Sequence, residues 1–200
     1  MPWFWIVAGP NGAGKSTLVA SGAVREALGP DLVCLNADVR TQLILHADPT
    51  AADANLRAAI ETDAQVAANI ELGVSFLVET VLSSDKYLGD IARAVSLGYQ
   101  IGVIYVGLAT PQDAVRRVAL RRAMGGHDVP ADRVIARWSR SIAMLGRIVP
   151  FADRLYVFDN SGTQGPVLIA RKDGVQLELL LPGCLPEIDA VLVTVAPRPP

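Results

Sequence analysis

The stretch Gly9-Pro10-Asn11-Gly12-Ala13-Gly14-Lys15-Ser16-Thr17 constrains this chain more than any other, because it fits the pattern G-x-x-x-x-G-K-[ST] without a mismatch. The apolar, β-prone run Trp3-Phe4-Trp5-Ile6-Val7-Ala8 precedes it, and Leu18-Val19-Ala20 opens a helix after it. Strand, glycine loop and helix in that order is the context of a phosphate-binding P-loop. Glycine lets backbone N–H groups curl around an anion with no Cβ in the way. In such a loop Lys15 reaches the β- and γ-phosphates of a nucleotide, and Ser16 holds Mg²⁺.

The rest of the chain alternates in the same manner. After β1 at 3–8 the pattern predicts a helix over 16–28, stopped by Gly29-Pro30, and a strand over 31–36 closed by Asn36-Ala37-Asp38. Helices follow over 39–46 and 51–72, the second with Leu56, Ile60, Ala64, Ala67 and Ile70 near helical spacing. A third strand over 74–79 ends in Glu79. A helix over 85–97 leads to a fourth strand over 100–108. Thr110-Pro111 starts a helix by cap and proline, running to Met124. Gly125-Gly126-His127-Asp128-Val129-Pro130 is a loop, 131–148 a further helix, and 151–158 a fifth strand ending in Asp159-Asn160-Ser161-Gly162. Val167–Arg171 and Val175–Leu181 read as a hairpin about an Asp173-Gly174 turn, with a short helix over 186–193.

Strands alternating with helices pair in parallel through right-handed crossovers. The expected fold is therefore α/β, a three-layer αβα P-loop NTPase with a five-stranded parallel sheet, a helical lid and a C-terminal hairpin. One domain covers 1–200, with its core at 1–162 and a hairpin and tail at 163–200. At 51% hydrophobic residues a sizeable core is available. With 18 Lys plus Arg against 20 Asp plus Glu, the net charge of -2 gives no overall drive toward nucleic acid or an anionic membrane. No apolar run approaches the ~20 residues that span a bilayer, and Trp3 to Ala8 is too short for a signal core. Cys34 and Cys184 form no metal or redox spacing and are expected to be reduced and buried. These features point to a cytoplasmic protein.

Ligands on open parallel sheets bind at the carboxyl ends of the strands. The P-loop, Asp38, Glu79 and Asn160 each follow an apolar strand directly and should converge there. A carboxylate at Asp38 suits the general base that takes an acceptor hydroxyl's proton during phosphoryl transfer; Asp is equally a favoured N-cap. Glu79 ends a buried strand, so its charge calls for a metal, a substrate or a salt bridge. Thr80 and Ser83 are placed to bind the same substrate. Arg117 and Arg121 lie four apart on one helix face, a suitable pair for the charge that spreads over a transferring γ-phosphate. His127, after the Gly125-Gly126 hinge, is a candidate substrate contact in a mobile lid, and Arg137 and Arg140 are lid residues or struts. No Asn-Lys-x-Asp guanine signature occurs, which argues against a GTPase.

In these motifs the chain resembles the zeta-toxin family of P-loop kinases. Besides the P-loop the matching pieces are Asn36-Ala37-Asp38, Glu79-Thr80-Val81-Leu82-Ser83, Arg117-Val118-Ala119-Leu120-Arg121, Gly125-Gly126-His127-Asp128-Val129-Pro130, Arg137-Trp138-Ser139-Arg140-Ser141 and Asp159-Asn160-Ser161-Gly162, in family order across residues 3–162. The resemblance implies an adenylate-kinase-like fold with ATP and Mg²⁺ at the P-loop. It implies transfer of the γ-phosphate to a hydroxyl, best known in the family as the 3′-hydroxyl of UDP-N-acetylglucosamine. It implies a base at Asp38, substrate or metal contact at Glu79, lid arginines at Arg117 and Arg121, Asn160 near the adenine, and an antitoxin partner as in toxin–antitoxin pairs. The Ala-rich region between Asp38 and Glu79 carries no sugar-nucleotide signature of its own. The sequence therefore predicts an ATP-dependent kinase of a small-molecule acceptor, a UDP-sugar first. The rival is a P-loop ATPase or nucleotide switch acting on a protein or nucleic-acid partner.

Overall fold

Apolar runs that alternate with helices can bury both of their faces only by pairing in parallel and taking helices on either side. The computed structural model describes residues 1–29, 32–124 and 129–195 and has that arrangement. Strands β1 (Trp3–Ala8), β2 (Val33–Asn36), β3 (Phe76–Thr80), β4 (Gln100–Gly107) and β5 (Arg154–Asp159) are parallel, in the order β2-β3-β1-β4-β5. The hairpin does not stand apart. β6 (Val167–Asp173) pairs antiparallel with β5, and β7 (Gln176–Leu179) with β6. Among the described residues the sheet therefore has seven strands rather than the expected five. The reason is that β5 would otherwise present an open edge of unpaired backbone groups. The hairpin's loop residues are Gly174 and Val175, one position later than the expected Asp-Gly turn, with Gly174 at φ 56°.

The helices are α1 (Lys15–Ala20), α2 (Ala23–Leu28), α3 (Ala37–Ala47), α4 (Ala54–Leu72), α5 (Lys86–Ser96), α6 (Pro111–Ala123), α7 (Ala131–Ile148) and α8 (Pro186–Thr194). Four further expectations change. The helix expected over 16–28 breaks into α1 and α2 where Gly22 takes φ 85°, a left-handed conformation open to glycine. The strand expected to start at 151 begins at Arg154, because Val149–Phe151 coil into a 3-10 turn around Pro150. The face of α4 is also different: Ala54, Ala58, Thr62, Val66 and Ile70 are buried, while Leu56 and Ile60 are 63% and 59% exposed. Small side chains at the front of that stripe let α4 lie close to α3, and the Thr62 hydroxyl satisfies itself on Ala58 O at 2.7 Å. Cys34 is half-buried and Cys184 exposed rather than buried, and both are free thiols.

Alternate residues of β1 feed two apolar layers. Phe4, Ile6 and Ala8 enter the larger one, with α4, α5, α6, α7 and α8; Trp5 and Val7 enter the smaller, with α1 and α2. Phe4 stacks on Phe76 with ring centroids 4.5 Å apart, both fully buried. Each such burial stabilises the fold by roughly 1.5–3 kcal/mol. On the thinner side Trp5 lies across Gly102, its partner in register on β4, and is stacked between Trp3 and Tyr156. A Cβ at Gly102 would sit 2.2 Å from the Trp5 ring. Gly102→Ala should therefore lower stability by about 1–3 kcal/mol through overpacking, read as a lower thermal midpoint. An unchanged midpoint would show that Trp5 has room to move.

The strand ends bring the P-loop, Asn36, Thr80, Leu108 and Asn160 to one side of the sheet. Asn160 N donates to Gly107 O (3.1 Å) and Ala109 N to Ser161 Oγ (2.7 Å), which ties the turn after β5 to the end of β4. Among the described residues no helix is long and apolar enough to cross a membrane.

Candidate functional site

The loop after β1 is shaped by close backbone approach. Gly9, at φ 140°, passes over Val106 so tightly that a Cβ would lie 2.1 Å from the Val106 carbonyl oxygen. Gly14, at φ 95°, faces the Asn160 amide, where a Cβ would lie 2.5 Å away. That amide donates to Ala13 O at 2.8 Å, so Asn160 props the loop from behind. The loop's outer side opens on a cleft of about 420 Å³ lined by Asn11, Gly12, Gly14, Lys15, Ser16 and Thr17. Gly9, Pro10 and Ala13 form its back, with their carbonyls turned to Lys15 and Asn160. Asn11 Oδ1 is buried with no hydrogen-bond partner among the described residues.

Lys15 is 8% exposed. Its ammonium donates to Gly9 O (2.8 Å) and Pro10 O (3.0 Å), which leaves one of its three donors for a ligand. Burial pushes its pKa down to about 8; Glu79 and Asp38 oppose the shift and Arg121 adds to it. An unfolded lysine titrates near 10.4. Between pH 8 and that value the folded chain binds fewer protons than the unfolded one, so this group's contribution to stability rises with pH across the window. Wild type should gain on Lys15→Met between pH 8 and 10.5, with a flat difference below pH 8, in denaturant midpoints measured across pH. A difference flat over the whole range would contradict the lowered pKa.

Opposite the loop, β3 delivers Glu79. Ser16 Oγ donates to its Oε1 at 2.5 Å and Asn36 Nδ2 to its Oε2 at 2.7 Å. Hydroxyl and amide thus satisfy the carboxylate at the end of this apolar strand. Asn36 does a second job. Its Oδ1 accepts from Asp38 N (2.8 Å) and Val39 N (3.2 Å), which makes it the N-cap of α3. Asp38 is therefore not the cap: it stands in the first turn with an exposed side chain lining the cleft. Asn36 was legible as the polar residue ending β2 directly before a helix, but its bridge to Glu79 required the parallel register of β2 and β3.

Arg117 and Arg121 project from α6 into the same cleft. Arg117 also reaches Ser161 O and Gly162 O at 3.4 and 3.5 Å. The last residue of β3 is Thr80, and the loop after it supplies Ser83. Thr80 Oγ1 accepts from Leu82 N at 3.1 Å, so its hydroxyl hydrogen stays available. Three further lining residues are Lys86 and Tyr87 at the start of α5 and Arg137 of α7. Lys86 pairs with Asp63 of α4 and sits 4.9 Å over the Tyr87 ring. The signal for the first two was their place directly after a strand-end loop. His127, with Gly125, Gly126 and Asp128, lies outside the described residues. A hydroxyl and a carboxylate 2.5 Å apart, beside a buried ammonium and a glycine loop, form a donor set suited to a polyphosphate and a small hard cation.

The zeta toxin family model matches residues 1–173. No curated protein matches the sequence. Among solved structures the chain is similar to one chain of the AvrRxo1-ORF1:-ORF2 complex with ATP, with TM-score 0.69 and 16% identity over 98% of this chain and 66% of that one. It is similar to a chain of the PezAT chromosomal toxin–antitoxin system of Streptococcus pneumoniae, with TM-score 0.58 and 17% identity over 86% and 72%. It is also similar to a Chloroflexus aurantiacus protein assigned as a kinase, with TM-score 0.57 and 19% identity over 82% and 90%. These likenesses concern the fold, and the chain spans just under two thirds of the AvrRxo1 complex chain.

Proposed function

The chain belongs to the zeta toxin family, and from that premise we propose that it is an ATP-dependent phosphotransferase that moves the γ-phosphate to a hydroxyl of a small metabolite, a UDP-amino sugar such as UDP-N-acetylglucosamine in the first instance. The observation that carries this reading is one cleft in which the P-loop and Lys15 face Asp38, Glu79, Arg117 and Arg121. ATP occupies the P-loop side. Ser16 and Glu79 would hold Mg²⁺, which supplies charge neutralisation on phosphate oxygens. Lys15 turns its spare donor to the β- and γ-phosphates. Arg117 and Arg121 take up charge on the γ-phosphate as it moves.

The acceptor lies against Asp38, Glu79, Thr80 and Ser83, and His127 is proposed as a further contact. Asp38 accepts the hydroxyl proton as the new O–Pγ bond forms. The bond from Pγ to the β,γ-bridging oxygen breaks, and ADP leaves with that electron pair. The toxin–antitoxin naming of the PezAT system supports a protein partner that restrains this activity, and the two-part AvrRxo1-ORF1:-ORF2 complex supports a protein partner. The test is ATP consumption by the purified chain with and without UDP-N-acetylglucosamine. Consumption that rises with the sugar nucleotide supports the reading. Slow hydrolysis indifferent to it discards this acceptor and favours a nucleotide switch.

A further inference from the structure

The loop that faces the acceptor side of the cleft has an unusual backbone. Leu82 is a non-glycine residue at φ 56° and is 2% exposed. A left-handed conformation at a buried leucine persists only when its surroundings impose it. Part of that imposition is local, the Leu82 N–H donated to Thr80 Oγ1. The rest comes from behind. Ser141 of α7, fully buried, donates from Oγ to Val81 O at 2.7 Å. Tyr105 of β4, also fully buried, has its hydroxyl 3.0 Å from the same Oγ. A serine hydroxyl has one hydrogen, already directed at Val81 O, so the bond from Tyr105 must run the other way. Burial holds the Tyr105 phenol far above its ordinary pKa, so it keeps its proton. The chain Tyr105 to Ser141 to Val81 therefore has one direction.

Arg137 lies one helical turn before Ser141 on α7 and lines the cleft. One turn of α7 thus presents a guanidinium to the cleft and a buried hydroxyl to the back of its acceptor loop.

We propose that Ser141 is a positioning residue for the acceptor: its hydrogen bond to Val81 O holds residues 80–83 in the strained shape that presents Thr80 and Ser83 to the cleft, while the nucleotide side is held independently by the P-loop. The functional half of this statement rests on the kinase reading above; the structural half does not. Ser141→Ala leaves the Val81 carbonyl and the buried Tyr105 hydroxyl without their partner. Tyr105→Phe removes only the outer bond, and Ser141→Thr keeps the hydroxyl.

The experiment compares wild type with these three variants in two readouts. The first is amide hydrogen exchange by mass spectrometry on the intact chain without ligand. Exchange over residues 80–84 should rise about tenfold in Ser141→Ala, less in Tyr105→Phe, and return toward wild type in Ser141→Thr, while residues 9–17 stay unchanged. Equal exchange in wild type and Ser141→Ala overturns the proposal whatever the acceptor. The second is steady-state kinetics with UDP-N-acetylglucosamine as probe. The KM for the probe should rise about tenfold in Ser141→Ala, with kcat and the KM for ATP within about twofold. A matched loss in kcat and ATP affinity overturns the positioning role. Wild type inert toward the probe counts against the functional reading alone, and the exchange result still decides the loop.

Discussion

Lys15→Met is expected to reduce phosphoryl transfer by on the order of 10³-fold, the range seen when one preorganised donor to developing charge is removed. Lys15 is held for that task at a cost. The residue is 8% exposed, its pKa is lowered to about 8 by burial, and no salt-bridge partner lies within reach among the described residues. Two loop carbonyls, Gly9 O and Pro10 O, steady it. Methionine preserves length and apolar stem, so the fold and the opening of the cleft should survive. The loss should appear in single-turnover rates as well as in nucleotide affinity, because a polyphosphate carries charge in both ground and transition states. A Met variant within tenfold of wild type in single turnover would show that Lys15 is structural.

Asp38→Asn is the second large effect. The substitution keeps size and polarity and removes the proton acceptor. General base catalysis is worth about 10²–10⁴-fold, and kcat should fall by about 10³ while ATP affinity stays within a few-fold. The helix start should not be disturbed, because Asn36 and not Asp38 caps α3. That separation makes the variant informative: a loss of rate cannot be blamed on an uncapped helix. A normal kcat in Asp38→Asn would remove the base assignment and leave Asp38 as a first-turn acid that complements the helix dipole.

The fold was legible where local chemistry and global arrangement agree. The string from Gly9 to Thr17 demanded a strand before it and a helix after it, and the strand ends placed Asp38, Glu79 and the P-loop on one side of a parallel sheet. Illegible features were those decided by a partner distant in sequence. Leu56 and Ile60 satisfy helical spacing as well as Ala54 and Ala58 do. What turned the leucine and isoleucine outward was the close approach of α3, which no local pattern reports. The hairpin's pairing with β5 follows from an open sheet edge, a property of the assembled sheet.

Within the site, Asn and Asp are nearly equal as caps, so the exchange of roles between Asn36 and Asp38 turned on a shift of two residues. Lys86 and Tyr87 reach the cleft from a helix whose orientation is set by packing. The bond from Ser141 to Val81 O spans 60 residues and joins two elements that share no motif.

The most direct test of the central claim, transfer of the γ-phosphate to an acceptor hydroxyl, is phosphorus NMR of a reaction containing the chain, ATP, Mg²⁺ and UDP-N-acetylglucosamine. The expected result is a new phosphomonoester resonance growing as the γ-phosphate of ATP disappears, attached to a sugar nucleotide heavier by one phosphoryl group and missing when Asp38→Asn replaces wild type. Growth of inorganic phosphate alone, with the sugar nucleotide unchanged, would contradict transfer to this acceptor and leave a nucleotide hydrolase in its place.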